Sequence, residues 1–200
     1  MSDAGRVIGG RARGRRLVAP GPGTRPLADR LKQALFAILD PDLPGAAVLD
    51  LFAGSGAGGI EALSRGAARA VFVERDAGAA RTIEENLRRC ELAGPAAVVR
   101  RADALTYLAS SAALDGPFDV VIVDPPYADT VLLLEALRRL GADASGRIVA
   151  ADGRVVAKHF WREAPPANVG LLASERERRF GESALTFYRR TGPEPAEEGR

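Results

Sequence analysis

Apolar and polar positions along this chain alternate between two rhythms. Short apolar runs fall at 46–50, 70–74, 97–100 and 118–124. Between them, at 57–65, 77–91, 104–110 and 130–140, apolar residues recur at helical spacing. The first pattern marks buried strands, the second helices with one face turned inward. Elements taking turns in this way predict an α/β fold: a parallel sheet with helices on both faces. A further helix is predicted over 27–39, where Leu27, Leu31, Leu35 and Leu39 share a face that excludes Arg30 and Lys32. After Gly146 the helical rhythm stops. Strands are predicted near 147–150 and 153–159, then at 168–174 and 184–190, the last two as an antiparallel pair. No internal repeat and no second domain break the pattern.

The strand at 120–123 runs into Asp124-Pro125-Pro126-Tyr127. A carboxylate, two prolines and a ring at a strand's carboxyl end make a flat, rigid slot for a planar group bearing an amine. The ring stacks on the base, while Asp124 and the Pro125 carbonyl accept the amine hydrogens. Proline fixes φ and restricts the residue ahead of it, so the carbonyls here are held in place. The plainer reading is a Pro-Pro turn that caps a strand.

A second motif lies at 46–59, A-A-V-L-D-L-F-A-G-S-G-A-G-G. An apolar strand ends at Asp50, and Gly54, Gly56, Gly58 and Gly59 lead into a helix near Ala57. Such a loop lets the backbone approach a ligand at a helix N-terminus, and by itself fits a nicotinamide dinucleotide fold equally well. Asp50 stands where a carboxylate pairs with a cationic amino-acid group or orients the loop. Glu74 ends the next strand, the place for an acid that binds ribose hydroxyls. Asp103 follows the strand after that, within reach of an adenine amine. Three acids on one sheet edge describe a pocket for adenosine carrying an amino-acid tail, S-adenosyl-L-methionine. The structural alternative for each acid is a helix cap or a solvated turn.

With these motifs in place, the chain resembles the RsmD family of 16S (small-subunit) ribosomal RNA guanine-N2 methyltransferases over nearly everything from Arg6 to Arg190. The stretches that carry the likeness are R-V-I-G-G-R-A-R-G-R-R-L (6–17), G-T-R-P-L-A-D-R-L-K-Q-A-L-F-A-I-L (23–39), V-L-D-L-F-A-G-S-G-A (48–57), G-I-E-A-L-S-R-G-A (59–67), D-P-P-Y (124–127) and F-G-E-S-A-L-T-F-Y (180–188). Two positions depart from the family pattern. Gly58 stands where a larger apolar residue is usual, and Lys158-His159-Phe160-Trp161 replaces a more usual ending with Glu-His. The resemblance implies a Rossmann-like, seven-stranded class I SAM-dependent methyltransferase fold with a basic N-terminal β-hairpin. The expected layout is a hairpin arm at 1–22, a methyltransferase domain at 23–190 and a disordered tail at 191–200. The candidate catalytic residues are Asp124, Pro125, Pro126 and Tyr127. The candidate cofactor-binding residues are Asp50, Phe52, Ala53, Gly54, Ser55, Gly56, Glu74, Arg75, Asp103 and Ala104. The implied target is one unpaired guanine in the ribosomal RNA of the small subunit, on particles or assembly intermediates. The residue chemistry alone leaves adenine and cytosine amines open.

Composition and charge sharpen this picture. Two hundred residues, 46% hydrophobic, bury a core as one unit. No apolar run is long enough for a membrane helix, and the arginine-rich N-terminus has no apolar core of a secretory signal. The lone Cys90 reads as a buried helical thiol in a reducing compartment, which places the chain in the cytoplasm. The lone His159 excludes a histidine metal cluster or triad, and is expected at a strand end or on the surface. The expected molecule is a monomer without a metal. Net charge is only +2, yet residues 1–33 hold Arg6, Arg11, Arg13, Arg15, Arg16, Arg25, Arg30 and Lys32 against Asp3 and Asp29. A basic segment on a nearly neutral body points to a polyanion, and the seven arginines are the candidate RNA contacts. Three rivals remain: an amino-methyltransferase acting on DNA or on protein glutamine, a nicotinamide oxidoreductase, and a catalytically silent RNA-binding scaffold. The second gives Asp124-Pro125-Pro126-Tyr127 no role. The third leaves an intact slot and glycine loop unexplained.

Overall fold

The computed structural model describes residues 3–21, 29–110, 112–126, 129–143 and 145–192. Two short strands open it, β1 (Asp3–Arg6) and β2 (Arg16–Val18), paired antiparallel. The body follows as α1 (Asp29–Leu39), β3 (Ala47–Asp50), α2 (Ala57–Ser64), β4 (Arg69–Glu74), α3 (Ala77–Arg89), β5 (Ala97–Arg101), α4 (Ala104–Ser110), α5 (Ala112–Asp115), β6 (Phe118–Val123) and α6 (Thr130–Gly141). It ends in β7 (Val149–Phe160), β8 (Asn168–Val169), β9 (Leu172–Phe180) and β10 (Ser183–Arg190). Strands β3 to β10 form one sheet in the order β5-β4-β3-β6-β7-β10-β9-β8. The five strands from β5 to β7 run parallel, and β10, β9 and β8 are antiparallel to their neighbours.

Alternation of side chains across the strands splits the core in two. Val48, Val120, Ile122 and Val156 pack with α1, α2 and α3. Leu49, Val121, Val123, Val155 and Ala157 pack with α4 and α6. Continuing the alternation puts Asp50, Asp124 and Lys158 on the first side, at the carboxyl ends of three adjacent strands. Helices α3 and α6 start on aspartate caps, where Asp76 accepts from the Ala79 N–H (2.8 Å) and Asp129 from the Leu132 N–H (3.0 Å). Each ends on a pair of arginines, so both dipole ends are complemented.

The structure revises three expectations from the sequence. The strands at 147–150 and 153–159 are one strand, β7, irregular where Asp152 takes φ 58° and the register with β6 shifts. The strand at 168–174 is instead two. The chain turns at Gly170 (φ 58°), where a Cβ would sit 2.4 Å from the Gly141 carbonyl oxygen, and β9 then runs on to Phe180. The two-residue β8 makes the sheet one strand wider than seven. The tail beyond residue 192, and positions 27 and 28 at the head of the predicted first helix, lie outside the described residues.

The hairpin is built into the body. Ala4, Val7, Ala12, Leu17 and Ala19 are buried in the cluster with α1 to α3. Fully buried Glu61 accepts from the Ile8 N–H (2.8 Å) and the Gly9 N–H (2.7 Å), and Ser64 Oγ accepts from the Ala12 N–H (2.9 Å). Asn86 on α3 accepts from the Val18 N–H and donates to the Val18 and Ser55 carbonyls. It thereby clips the hairpin to the glycine loop. Asn86→Ala strands these backbone groups and costs about 1–3 kcal/mol. In a chain of this size that lowers Tm by about 2–4 °C per kcal/mol, read by calorimetry. A melting point equal to the parent's rules out the clip.

Candidate active site

Strand order runs outward in both directions from β3 and β6. In open parallel sheets the crevice beyond the carboxyl ends at such a switch point takes the ligand. Asp50 ends β3 and Asp124 follows β6, so the two motifs singled out in the sequence meet there.

Two clefts open at this edge. The first is lined by Leu51, Phe52, Val73, Glu74, Arg75, Ala102, Asp103, Ala104, Asp124, Pro126 and Leu132. The second is lined by Asp124, Pro125, Pro126, Asp129, Thr130, Leu133, Lys158, His159, Phe160 and Glu163. Asp124 and Pro126 belong to both, so they are the wall between the clefts. Tyr127 lies outside the described residues.

The candidate cofactor residues divide. Phe52, Glu74, Arg75, Asp103 and Ala104 line the first cleft. Asp50, Ala53, Gly54, Ser55 and Gly56 form the loop that shapes it. Gly56 takes φ 78° at the head of α2, and a Cβ there would come 3.1 Å from Ile83. Asp50 is almost fully buried and accepts from the Gly59 N–H through Oδ2 at 2.8 Å. It orients the start of α2 and does not line the cleft. Burial pushes its carboxyl up to about 7, against the Gly59 hydrogen bond and with help from the charges of Asp124 and Glu74. A Cβ on Gly58 would lie 2.9 Å from the same Oδ2, which explains the small residue at this position.

Glu74 accepts from the Gly54 N–H (2.9 Å) and the Asp76 N–H (2.8 Å), tying the end of β4 to the glycine loop. Asp103 caps α4 by accepting from the Thr106 N–H at 3.0 Å, so the cap role and a place on the cleft coexist. Asp124 is 17% exposed and accepts from Lys158 Nζ through Oδ1 at 2.7 Å. Burial raises its carboxyl, and the lysine opposes that rise.

Sequence reasoning flagged Lys158 as unusual but did not pair it with Asp124. The signal was the parallel register Val123↔Ala157, which brings the following residues side by side. His159 is buried, its ring held between the Phe160 carbonyl and the Thr186 hydroxyl. It is therefore a strand-end residue, and the surface alternative is excluded. Thr130 donates to Glu163 across the second cleft at 2.5 Å. On the hairpin, Arg6, Arg11, Arg13, Arg15 and Arg16 are exposed, as is Arg30 on α1, and Arg15 pairs with Glu91. Arg25 lies outside the described residues. Among the described residues no group of acids, cysteines and histidine is placed to hold a metal, and no helix is long and apolar enough to cross a membrane. Cys90 is a buried free thiol that ends α3.

The strand order, the reversed β10 and the glycine loop under the first cleft define the fold class of the SAM-dependent methyltransferases. A family model described as Conserved hypothetical protein 95 matches residues 5–189. The chain belongs to this family, the RsmD family. It is 38% identical over 191 residues to the ribosomal RNA small subunit methyltransferase D of Escherichia coli (strain K12), covering 92% of this chain and 89% of the relative. The solved structure of the Escherichia coli protein yhhF superposes with a TM-score of 0.81 at 34% identity, covering 94% of this chain and 98% of that one. An RNA methyltransferase from Salinibacter ruber, solved with S-adenosyl-L-homocysteine, has a TM-score of 0.63 at 16% identity, over 88% of this chain and 99% of that one. That last likeness concerns the fold alone.

Proposed function

We propose that this protein transfers a methyl group from S-adenosyl-L-methionine to the exocyclic N2 amine of a guanine in small-subunit ribosomal RNA. One observation carries the reading: Asp124 and Pro126 line both clefts, so a donor in one and an amine in the other meet across the same two residues. The name of the Escherichia coli relative supports RNA as the acceptor.

The residues of the first cleft fit the cofactor. Leu51, Val73, Ala102 and Ala104 offer apolar walls to a purine. Glu74 keeps acceptor capacity beyond its two backbone bonds, since a carboxylate has about four lone-pair sites. That suits ribose hydroxyls. Asp103 uses Oδ1 for its helix cap and has a second oxygen for a base amine. Bound there, S-adenosylmethionine supplies a sulfonium methyl already activated by its positive charge.

The protein's own part is alignment. The guanine amine is a poor nucleophile because its lone pair is delocalised into the ring. Asp124, accepting one of its hydrogens, raises electron density on nitrogen and turns the lone pair toward the first cleft. Holding both reactants in line accounts for several kcal/mol of barrier lowering. Once the nitrogen has gained the methyl it becomes acidic, and its proton leaves to Asp124 or to water. Tyr127 is the ring we assign to stack on the base, worth about 1–3 kcal/mol. The base reaches the cleft unpaired or flipped out, because N2 is otherwise engaged in pairing. The exposed arginines of the hairpin contact phosphates and fix the register of the RNA.

Small-subunit particles from cells lacking this protein, incubated with it and labelled cofactor, are expected to yield 2-methylguanosine on digestion and mass spectrometry. Label in N6-methyladenosine or N4-methylcytidine, or label on DNA or protein glutamine instead, sinks the guanine reading. For the cofactor cleft, Glu74→Ala is expected to weaken S-adenosylmethionine binding by about 1–3 kcal/mol in calorimetry, the cost of unpaired ribose hydroxyls. Unchanged affinity would make Glu74 a purely structural tie to Gly54.

A further inference from the structure

The cation in the atypical stretch 158–161 sits against the candidate catalytic carboxylate. Strands β6 and β7 run parallel with Val123 opposite Ala157, and the next step brings Asp124 beside Lys158. Nζ lies 2.7 Å from Asp124 Oδ1, and each side chain is 17% exposed. Both line the cleft assigned to the target base. The contact is therefore a charge-assisted hydrogen bond at the reacting edge, unlike the solvated pairs elsewhere on the surface.

We propose that Lys158 is a positioning residue: it holds Oδ1 of Asp124 and so presents Oδ2 to the substrate amine. This rests on the reading of Asp124 as the amine acceptor. An aspartate carboxylate rotates in a broad, two-fold well, so nothing intrinsic fixes its plane. A donor on one oxygen removes that freedom. The strand pairing already ties β6 to β7, so the ion pair is not needed to join them.

The lysine also keeps the carboxylate ionised. The charged groups around Asp124 are mostly acids: Asp50 on the neighbouring strand, Glu74 and Asp103 in the first cleft, and Asp129 and Glu163 in the second, with Arg75 a cation on the first cleft's lining. His159 faces Thr186 and the Phe160 carbonyl. Lys158 is the cation that offsets burial at Asp124. Without it the carboxyl binds a proton at higher pH, and a protonated carboxyl loses acceptor capacity toward the amine.

The test compares Lys158→Met and Lys158→Arg with the parent. In the free protein, carbon-13 side-chain NMR of Asp124 is expected to show its titration moving to higher pH in Lys158→Met. It stays near the parent's in Lys158→Arg, which restores a cation. On small-subunit particles, kcat of Lys158→Met is expected to fall about ten- to hundredfold at neutral pH, with KM for S-adenosylmethionine within about twofold. The acidic limb of its pH–rate profile moves up with the carboxyl, and Lys158→Arg recovers most of kcat. An unmoved Asp124 titration in Lys158→Met overturns the proposal whatever the RNA assay shows. Equal loss of kcat in both variants also overturns it, since that is the mark of a structural lysine. A parent that methylates a different amine overturns the guanine reading and leaves the NMR arm of this test intact.

Discussion

Asp124→Ala is expected to lose about 10²- to 10⁴-fold in kcat while still binding S-adenosylmethionine. The carboxylate touches both clefts, but the first is closed on its other sides by Leu51, Val73, Glu74, Ala102, Asp103 and Ala104. Removing one wall residue leaves most cofactor contacts in place. The second cleft loses its side-chain acceptor for the amine hydrogen and keeps only the Pro125 carbonyl assigned beside it. Asp124→Asn refines the test. The amide oxygen still accepts one hydrogen bond but cannot take the proton, so activity between that of parent and alanine variant separates alignment from proton acceptance. Alanine leaves Lys158 without its carboxylate, so binding must be read by calorimetry beside a melting curve. If turnover and affinity fell together by the same factor, Asp124 would be part of the cofactor pocket and not the amine acceptor.

Much of this site was legible in the chain, because its parts are local. The strand-to-loop steps at Asp50, Glu74 and Asp124 each announce themselves by an apolar run that stops at an acid. Apolar runs divided by helices leave one sheet direction, so the acids had to share an edge. The glycine loop follows the same logic, since tight turning into α2 demands residues without a Cβ. The end of the sheet was harder. Within 147–160 the exposed pair Ala151-Asp152 looks like a turn between two strands, yet the chain keeps pairing across it and bends at Asp152. Within 168–174, Gly170 looks like an interruption of one strand, and it is a reversal.

What the chain could not show is which strands align with which, and by how many residues. Lys158 meets Asp124 only because β6 and β7 adopt one parallel register out of several that bury the same valines. A one-residue slip would turn the lysine to the other face. The partner of Asp50 is likewise set by the fold. The sequence leaves it two readings, a partner for a cationic group or an orienter of the loop, and its bond from the Gly59 N–H is of the second kind. Arginines dominate the composition of the hairpin, so the sequence alone presents it as an arm. Its apolar residues and its ties to Glu61, Ser64 and Asn86 come from elements more than 50 positions away, beyond any local pattern.

That docking decides how the hairpin's role in RNA binding is tested. Deleting it would remove the hairpin's bonds to Glu61, Ser64 and Asn86 and uncover the apolar cluster beneath, so lost activity would report lost folding. Neutralising its surface keeps the backbone in place. Arg11, Arg13 and Arg15 are exposed, and none of their side chains supports the core. The Arg15 pair with Glu91 is a surface contact worth little, so that guanidinium remains available to a phosphate. The triple variant Arg11→Gln, Arg13→Gln, Arg15→Gln is expected to melt with the parent and bind cofactor as the parent does. Its affinity for small-subunit particles is expected to fall about ten- to hundredfold at low salt. Each phosphate contact contributes about 0.7–0.9 to the slope of log affinity against log salt, so the slope should flatten by about 2–3. Because phosphate contacts set register and carry no base information, the methylated position should not change. Salt-dependent binding of the triple variant that overlays the parent's would mean that the hairpin faces solvent in the complex, and that the RNA enters over another surface.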